Sequence, residues 1–512
     1  MNSSASVRAI LIFVAAAALA LWLGVSVATD QYETLLKVVL AVGFIICVLL
    51  GRRIWLLMIL LTAMNVPLIR GISTVDVGQA LFIGFSGIIF LMRRLPLRFK
   101  FGELEFWMLL VAASVVQVYL RNPVGLNIFG AGAVGARPYF AVGAAWLTGM
   151  LMSALIVPPS ELKWAMRLTI IGSIAGAFLT TLRMRIGGGG GMEPTGIEAS
   201  TGGRGSSRVA ILLQLAPAIA RTIASYVSPL RACFHPLWAP LILLSFALAA
   251  GSGYRNAVAA VGMYYLVSIA YHGGFMSVVV ASLSAAFGLG ALALFNLAVP
   301  LPPNIQRALS PFPGTWEERY VRAADESTEW RVQMWKEALF TDFWIQNKTF
   351  GDGLGFTRRE LEMMEVMDAG GNGFESLGSG LSAQQEAMMI TGGYHSGPVQ
   401  TIRTVGYVGL AVLMMAMIRV AVHAHREIKR CRGTEWYPFA LFMGIPSIAL
   451  PFIFTFVFGE FRVASTQVFL AYGMISLMQR NLPLPAYVKP VRSPYILNRR
   501  APASGGPATL PG

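Results

Sequence analysis

Residues 277–299 read SVVVASLSAAFGLGALALFNLAV, an apolar run without a single charged side chain. A helix of about 18 or more apolar residues spans the roughly 30 Å hydrocarbon core of a bilayer. Lipid offers no partner to an unpaired peptide group, so such a run crosses as a helix or not at all. The run ILIFVAAAALALWLGVSVA at 10–28 has the same character, and others follow along the chain. Composition agrees: 55% of the 512 residues are hydrophobic and 13% are charged, about half the charge of a soluble globular chain. The expected fold class is an all-α polytopic membrane protein.

About fourteen spans are expected, with boundaries that drift by several residues. They lie near 9–28, 35–50, 54–70, 77–92, 105–120, 138–157, 164–182, 208–226, 237–252, 256–271, 275–299, 399–420, 437–458 and 463–479. Short connections between 208 and 271 widen the expectation to 12–14 transmembrane helices. The first run is long for the apolar part of a signal peptide and is preceded by a single basic residue, Arg8, so it reads as a retained anchor.

Orientation follows from Lys and Arg in short loops. With both termini in the cytoplasm, the cytoplasmic turns hold Arg52 and Arg53; Arg93, Arg94, Arg98 and Lys100; Arg221 and Arg231; and Arg426, Lys429, Arg430 and Arg432. The opposite side receives 28–33, the Gly-rich stretch 183–207 and the long segment 300–398. The chain then divides into transmembrane helices 1–11 over 1–299, a large external loop subdomain over 300–398, the last three spans over 399–480, and a cytoplasmic tail at 481–512 that reads as disordered.

A net charge of +15 raises the question of nucleic acid. Segment 300–398 holds 8 Lys and Arg against 14 Asp and Glu, a net −6, which leaves +21 elsewhere. Much of that excess sits in the cytoplasmic turns, so the basic balance is the topology signal and needs no nucleic-acid partner. Cys47, Cys233 and Cys431 are too few and too widely spaced for a disulfide framework or a metal pair.

The external segment has a pattern of its own. In WRVQMWKEALF (330–340), Trp330, Met334 and Ala338 share one helical face, with Trp335 and Leu339 beside it. FGDGLGF (350–356) reads as a tight turn, and 357–368 and 382–390 as further helices. A segment this long with its own helices is expected to be functional.

The spans offer no central carboxylate to carry a proton, which argues against an ion-coupled transporter. Instead, arginines gather at the external face: Arg137 in GARPYFAVG, Arg204 and Arg208 in TGGRGSSRVAILLQLAP, Arg255 in AGSGYRNAVAA, Arg331, and Arg403. Each alone is more often an interfacial residue that snorkels or sets topology than a ligand. Together, on the side where insertion disfavours positive charge, they point to an anionic ligand. The planar guanidinium fork suits phosphate and stays charged. IGGGGGMEPTG (186–196) lacks the GK[ST] ending of a phosphate loop and reads as a linker.

His395, in TGGYHSGPVQTIRTVGYVG, stands in a glycine-rich turn just before a span. The other histidines, His235, His272, His423 and His425, map to the cytoplasmic side. No Cys or second His is near, so a metal site is not expected. A lone histidine is often structural, but one at this surface can also accept a proton near neutral pH.

These residues, in this order, resemble the O-antigen ligase and Wzy-type polysaccharide polymerase superfamily. The likeness covers roughly 200–425 and rests on GGRGSSRVAILLQLAPAIA, SGYRNAVAA, EWRVQMWKEALFTDFWIQNKTFGDGLGF and YHSGPVQTIRTVGYVGLAVL. Ser396 stands where such proteins often have Asn, and Arg403 and Thr404 where an acidic residue often precedes the Gly-x-x-Gly of Gly406 and Gly409. The resemblance implies a bacterial inner-membrane glycosyltransferase without metal or cofactor. Its donor would be a glycan on undecaprenyl pyrophosphate, its acceptor a glycan or lipid-linked glycan, and its partners the bilayer and other polysaccharide assembly proteins. It assigns catalytic roles to His395 and Arg331 and pyrophosphate binding to Arg204, Arg208 and Arg255, to which the charge pattern adds Arg137 and Arg403. The alternative from a different class is a flippase or transporter of lipid-linked glycans.

Overall fold

The computed structural model describes residue 43 and residues 46–483, except 70–71, 94, 96, 124–134, 187–209, 253, 303–304, 307–308, 311–312, 357, 369–380, 382 and 391. The span expected at 9–28, most of that at 35–50, the Gly-rich stretch with Arg204 and Arg208, and nearly all of the tail lie outside the described residues. Among the described residues the architecture is helical, apart from a small antiparallel pair, Pro67–Ile69 and Ile72–Ser73.

The first helices are α1 (Ile54–Met64), α2 (Thr74–Leu91), α3 (Glu103–Arg121), α4 (Arg137–Ala154) and α5 (Pro159–Ile186). They are followed by α6 (Ala210–Tyr226), α7 (Trp238–Gly251) and α8 (Arg255–Ala298). The long segment contributes α9 (Glu318–Phe340), α10 (Arg358–Asp368) and α11 (Ala383–Ile390). The last three are α12 (Gly397–Cys431), α13 (Tyr437–Phe452) and α14 (Phe461–Asn481). Seven described stretches are long and apolar enough to cross a membrane: Ile46–Met64, Thr74–Leu91, Glu103–Arg121, Pro159–Leu182, Arg255–Ala298, Gly397–Cys431 and Tyr437–Val457. Several such helices in one chain make this a multi-pass, all-α membrane architecture. Helices α4, α6, α7 and α14 occupy the positions of further expected spans, with α7 only 14 residues long.

Local sequence sets the helix ends. Ser73 caps α2: its Oγ accepts from Asp76 N at 3.3 Å and the Asp76 carboxylate accepts from Ser73 N at 2.8 Å, a reciprocal box that satisfies two end donors. Ser396 caps α12, with Pro398 in its first turn. Pro446 and Pro451 lie inside α13, which loosens into a wider turn at Ile453–Val457 before the extended Phe458. A straight 44-residue helix would be about 66 Å long, twice the hydrocarbon core. Instead, α8 breaks at Gly274, at φ 76°, between the positions of the two expected spans.

Burial divides the interior into three regions. One joins α1, α5, α6, α13 and the end of α14, around Trp55, Phe442 and Leu477. A second joins α3, α4, α12 and α14, around Met108, Val405, Phe469 and Tyr472. In it α4 and α14 approach backbone to backbone: a Cβ on Gly473 would meet Gly149 O at 2.9 Å. Small residues permit such contact where lipid gives helices little hydrophobic reason to associate. The third region belongs to segment 330–402, with Met334, Ala338, Trp344, Ile390 and Tyr394 buried together. The segment therefore has a core of its own, which reaches the first turns of α12 through Val399 and Ile402.

Candidate active site

The site begins with a second helix break. At Gly406, φ 73° and ψ −179° interrupt α12. The carbonyls and amides released there are taken up by the turn that contains GDGLGF. Asp352 N donates to Arg403 O at 2.6 Å and Gly353 N to Thr404 O at 3.2 Å. In return, Tyr407 N donates to Lys348 O at 2.8 Å and Val408 N to Thr349 O at 3.2 Å. Irregular backbone near a bilayer survives only when its polar groups find partners, and this exchange supplies them.

The turn is held elsewhere too. The carbonyls of Phe350, Gly351 and Asp352 accept from Gln117 Nε2, Arg121 Nη2 and Asn122 Nδ2 of the α3 end, at 2.7–2.9 Å. Tyr139 of α4 accepts from Leu354 N at 2.9 Å. The Asp352 carboxylate accepts from Gln346 N and Asn347 N, both at 2.8 Å. Burial raises the Asp352 pKa, opposed by those two amides and by Arg403.

His395 lies on this scaffold. Its φ of 50° is left-handed, which is uncommon for a residue other than glycine. The preceding peptide is pinned: Trp335 Nε1 donates to Tyr394 O at 2.7 Å, and Tyr394 is fully buried. Burial is also the main cause that raises the pKa of the Tyr394 phenol. The following residue is the cap of α12. The imidazole, half-buried, meets the Trp330 ring edge-to-face at 5.9 Å and the Phe458 ring at 6.0 Å. The Arg331 guanidinium lies 5.9 Å from the centre of the same Trp330 ring. Two residues selected from sequence, His395 and Arg331, thus meet on one tryptophan.

Phe458 also lines a partly open cavity of about 580 Å³ between α1, α4, α5, α6, α8, α13 and α14. Gly459 and Glu460 lie at the same end, and Gly459 packs against the Cα of Gly397, two residues after His395. On α8, Asn256 and Ala257 line the cavity, so the neighbouring Arg255 stands where that wall begins. Arg137 opens α4 two residues before Tyr139, which places it beside the docked turn.

Arg403 has another place. It is buried, its guanidinium forms an ion pair with Glu360 at 2.5 Å, and it also donates to Gly355 O and Ile390 O at 3.2 and 3.5 Å. With these donors committed inside the protein, Arg403 fastens segment 330–390 to α12, and we remove it from the anion-binding set. The aromatics divide likewise: Trp344 and Tyr394 are core residues, whereas Trp330 meets His395.

Sequence reading overlooked two functional candidates, Phe458 and Arg221. Phe458 lies in an apolar run and has no signature of its own. Arg221 was assigned to the charge of a cytoplasmic turn, but it lies within α6 and lines the cavity. No protein-family model and no curated protein matches this chain.

Proposed function

We propose that this protein transfers a glycan from undecaprenyl pyrophosphate to a sugar hydroxyl at the outer face of a bacterial inner membrane. The observation that carries the reading is the meeting of His395 and Arg331 on Trp330, beside a cavity between the helices that shares Phe458. In this reaction the acceptor oxygen attacks the anomeric carbon, and the bond from that carbon to the pyrophosphate oxygen breaks with its electron pair. His395 takes the proton from the acceptor hydroxyl as general base. The leaving pyrophosphate needs no proton. Arg331 and Arg255 stabilise its growing charge, together with the sequence candidates Arg204, Arg208 and Arg137. A pinned backbone around His395 suits this role, because a base must be held in hydrogen-bond reach of the hydroxyl.

The test uses the purified full chain with lipid-linked oligosaccharide and acceptor. His395→Ala is expected to lower transfer by about 10²–10⁴-fold, and Arg331→Ala to lower it as well, with melting transitions retained. Undiminished transfer by the His395→Ala, Arg255→Ala double variant would refute the mechanism. Gel analysis of a deletion strain separates the two acceptor classes: loss of chain length with single repeats retained indicates a polymerase, and loss of all transfer to the outer carrier indicates a ligase.

One observation favours a second reading, transport of lipid-linked glycans: the cationic Arg221 in the cavity wall. Reconstituted vesicles that move the donor across the bilayer without acceptor consumption would select it.

A further inference from the structure

The cavity has a feature that glycan transfer does not use. Beside α13, Arg221 Nε donates to Phe442 O, Arg221 Nη2 reaches Met443 Sδ at 3.3 Å, and the guanidinium lies 3.8 Å from the centre of the Phe442 ring. A carbonyl, a thioether and a ring face orient a cation, but none of them carries a neutralising charge. Among the described residues no carboxylate forms an ion pair with Arg221, and Glu460, which also lines the cavity, pairs with Arg462 at 3.7 Å. An ionisable side chain within a membrane bundle is retained at a cost and ordinarily faces a ligand or a partner of opposite charge.

The rest of the cavity describes what that ligand looks like. From Met443, near Arg221, to Phe454, the lining follows α13 for about 16 Å. Along this length the walls are mostly apolar, with Ile59, Leu213, Ala260, Leu450, Ile453 and Leu470 among them. Tyr264 lies at the Arg221 end, and Asn256, whose Oδ1 is buried without a hydrogen-bond partner, stands eight residues earlier on α8. A volume of about 580 Å³ is within the range of small-molecule sites.

We infer that this cavity binds an anionic amphiphile whose phosphate or carboxylate pairs with Arg221 and whose apolar tail runs toward Phe454 and Phe458. The anion supplies the missing counter-charge, and the tail covers walls that neither water nor a free ion would favour. The Arg221 contact is separate from the His395 cluster, although the tail end of the cavity shares Phe458 with it.

The probe is radiolabelled dodecyl phosphate, below its micellar concentration, with the full chain in phosphatidylcholine nanodiscs. Saturable binding is expected, competed by unlabelled dodecyl phosphate but not by equal concentrations of dodecanol or inorganic phosphate. Arg221→Gln is expected to weaken binding about tenfold or more, as loss of a charge-assisted contact predicts. Ala260→Phe, which keeps Arg221 and fills the cavity, is expected to abolish it, and melting transitions of both variants report folding. Equal competition by dodecanol would reduce the site to an apolar pocket, and equal competition by inorganic phosphate would reduce it to an anion site. Either result, or unchanged binding by Ala260→Phe, overturns the inference.

Discussion

Substituting Gly406 by alanine tests whether the docked turn holds the site together. Its φ of 73° and ψ of −179° lie in a region essentially reserved for glycine, so another residue there costs about 2 kcal/mol. A new Cβ would also run into Thr349 O and Phe350 N, and so would push the turn at 348–350 away from α12. That movement loosens two hydrogen bonds, Tyr407 N to Lys348 O and Val408 N to Thr349 O, each of about 1 kcal/mol net. The two effects total about 4 kcal/mol, or about a thousandfold in the ratio of docked to undocked turn. Limited proteolysis of segment 300–398 in nanodiscs reads this ratio, because cleavage follows the open population when closing is fast. Gly406→Ala is expected to be cleaved far faster than the wild type. Gly290→Ala, whose Cβ would meet nothing within 4 Å, is the control. Identical cleavage of Gly406→Ala and wild type would refute the docking argument, and with it the pinned position of His395.

Two further outcomes are expected. Glu360→Leu leaves Arg403 buried without its counter-ion and should destabilise the fold by about 3–5 kcal/mol in denaturant melts, whereas Glu360→Leu with Arg403→Met should recover most of that loss; a single variant as stable as the double would contradict it. For orientation, Leu361→Cys, exposed on α10, in a Cys233→Ser background should react with an impermeant thiol reagent in intact cells, while native Cys233, also exposed, should react only after permeabilisation; the reverse pattern would invert the topology.

How much of this was legible in the sequence differs by feature. Apolar runs mark helices because each span must satisfy its own backbone, and the Gly274 break was visible as a gap between two runs. The Gly406 break was not, since a glycine inside an apolar run leaves hydropathy unchanged and the turn that fills the break lies more than fifty residues earlier in the chain. The aromatic face of 330–340 was legible through its helical spacing, and Met334 and Ala338 are indeed buried. His395 and Arg331 could be selected by residue type and position, but their meeting on Trp330 is a tertiary fact. Arg403 and Arg221 show the limit of counting charges by membrane side. One has its counter-ion 43 residues away on α10, and the other turns from an expected turn into a cavity, because sequence order does not report which neighbour a side chain meets.

The exchange of hydrogen bonds around Gly406 also limits how this protein can be recombined. Its segment 300–398 looks like a cassette, with its own core and two chain connections. Yet the turn at 347–354 shares its backbone bonding with α12 and its carbonyls with the end of α3, while α10 supplies the counter-ion for Arg403. A chimera that imports this segment alone would leave a broken helix with nothing to fill the break. A workable graft must carry Gln117–Asn122, Tyr139 and the start of α12 along with it, so the unit of exchange is the segment together with the helix ends on which it rests.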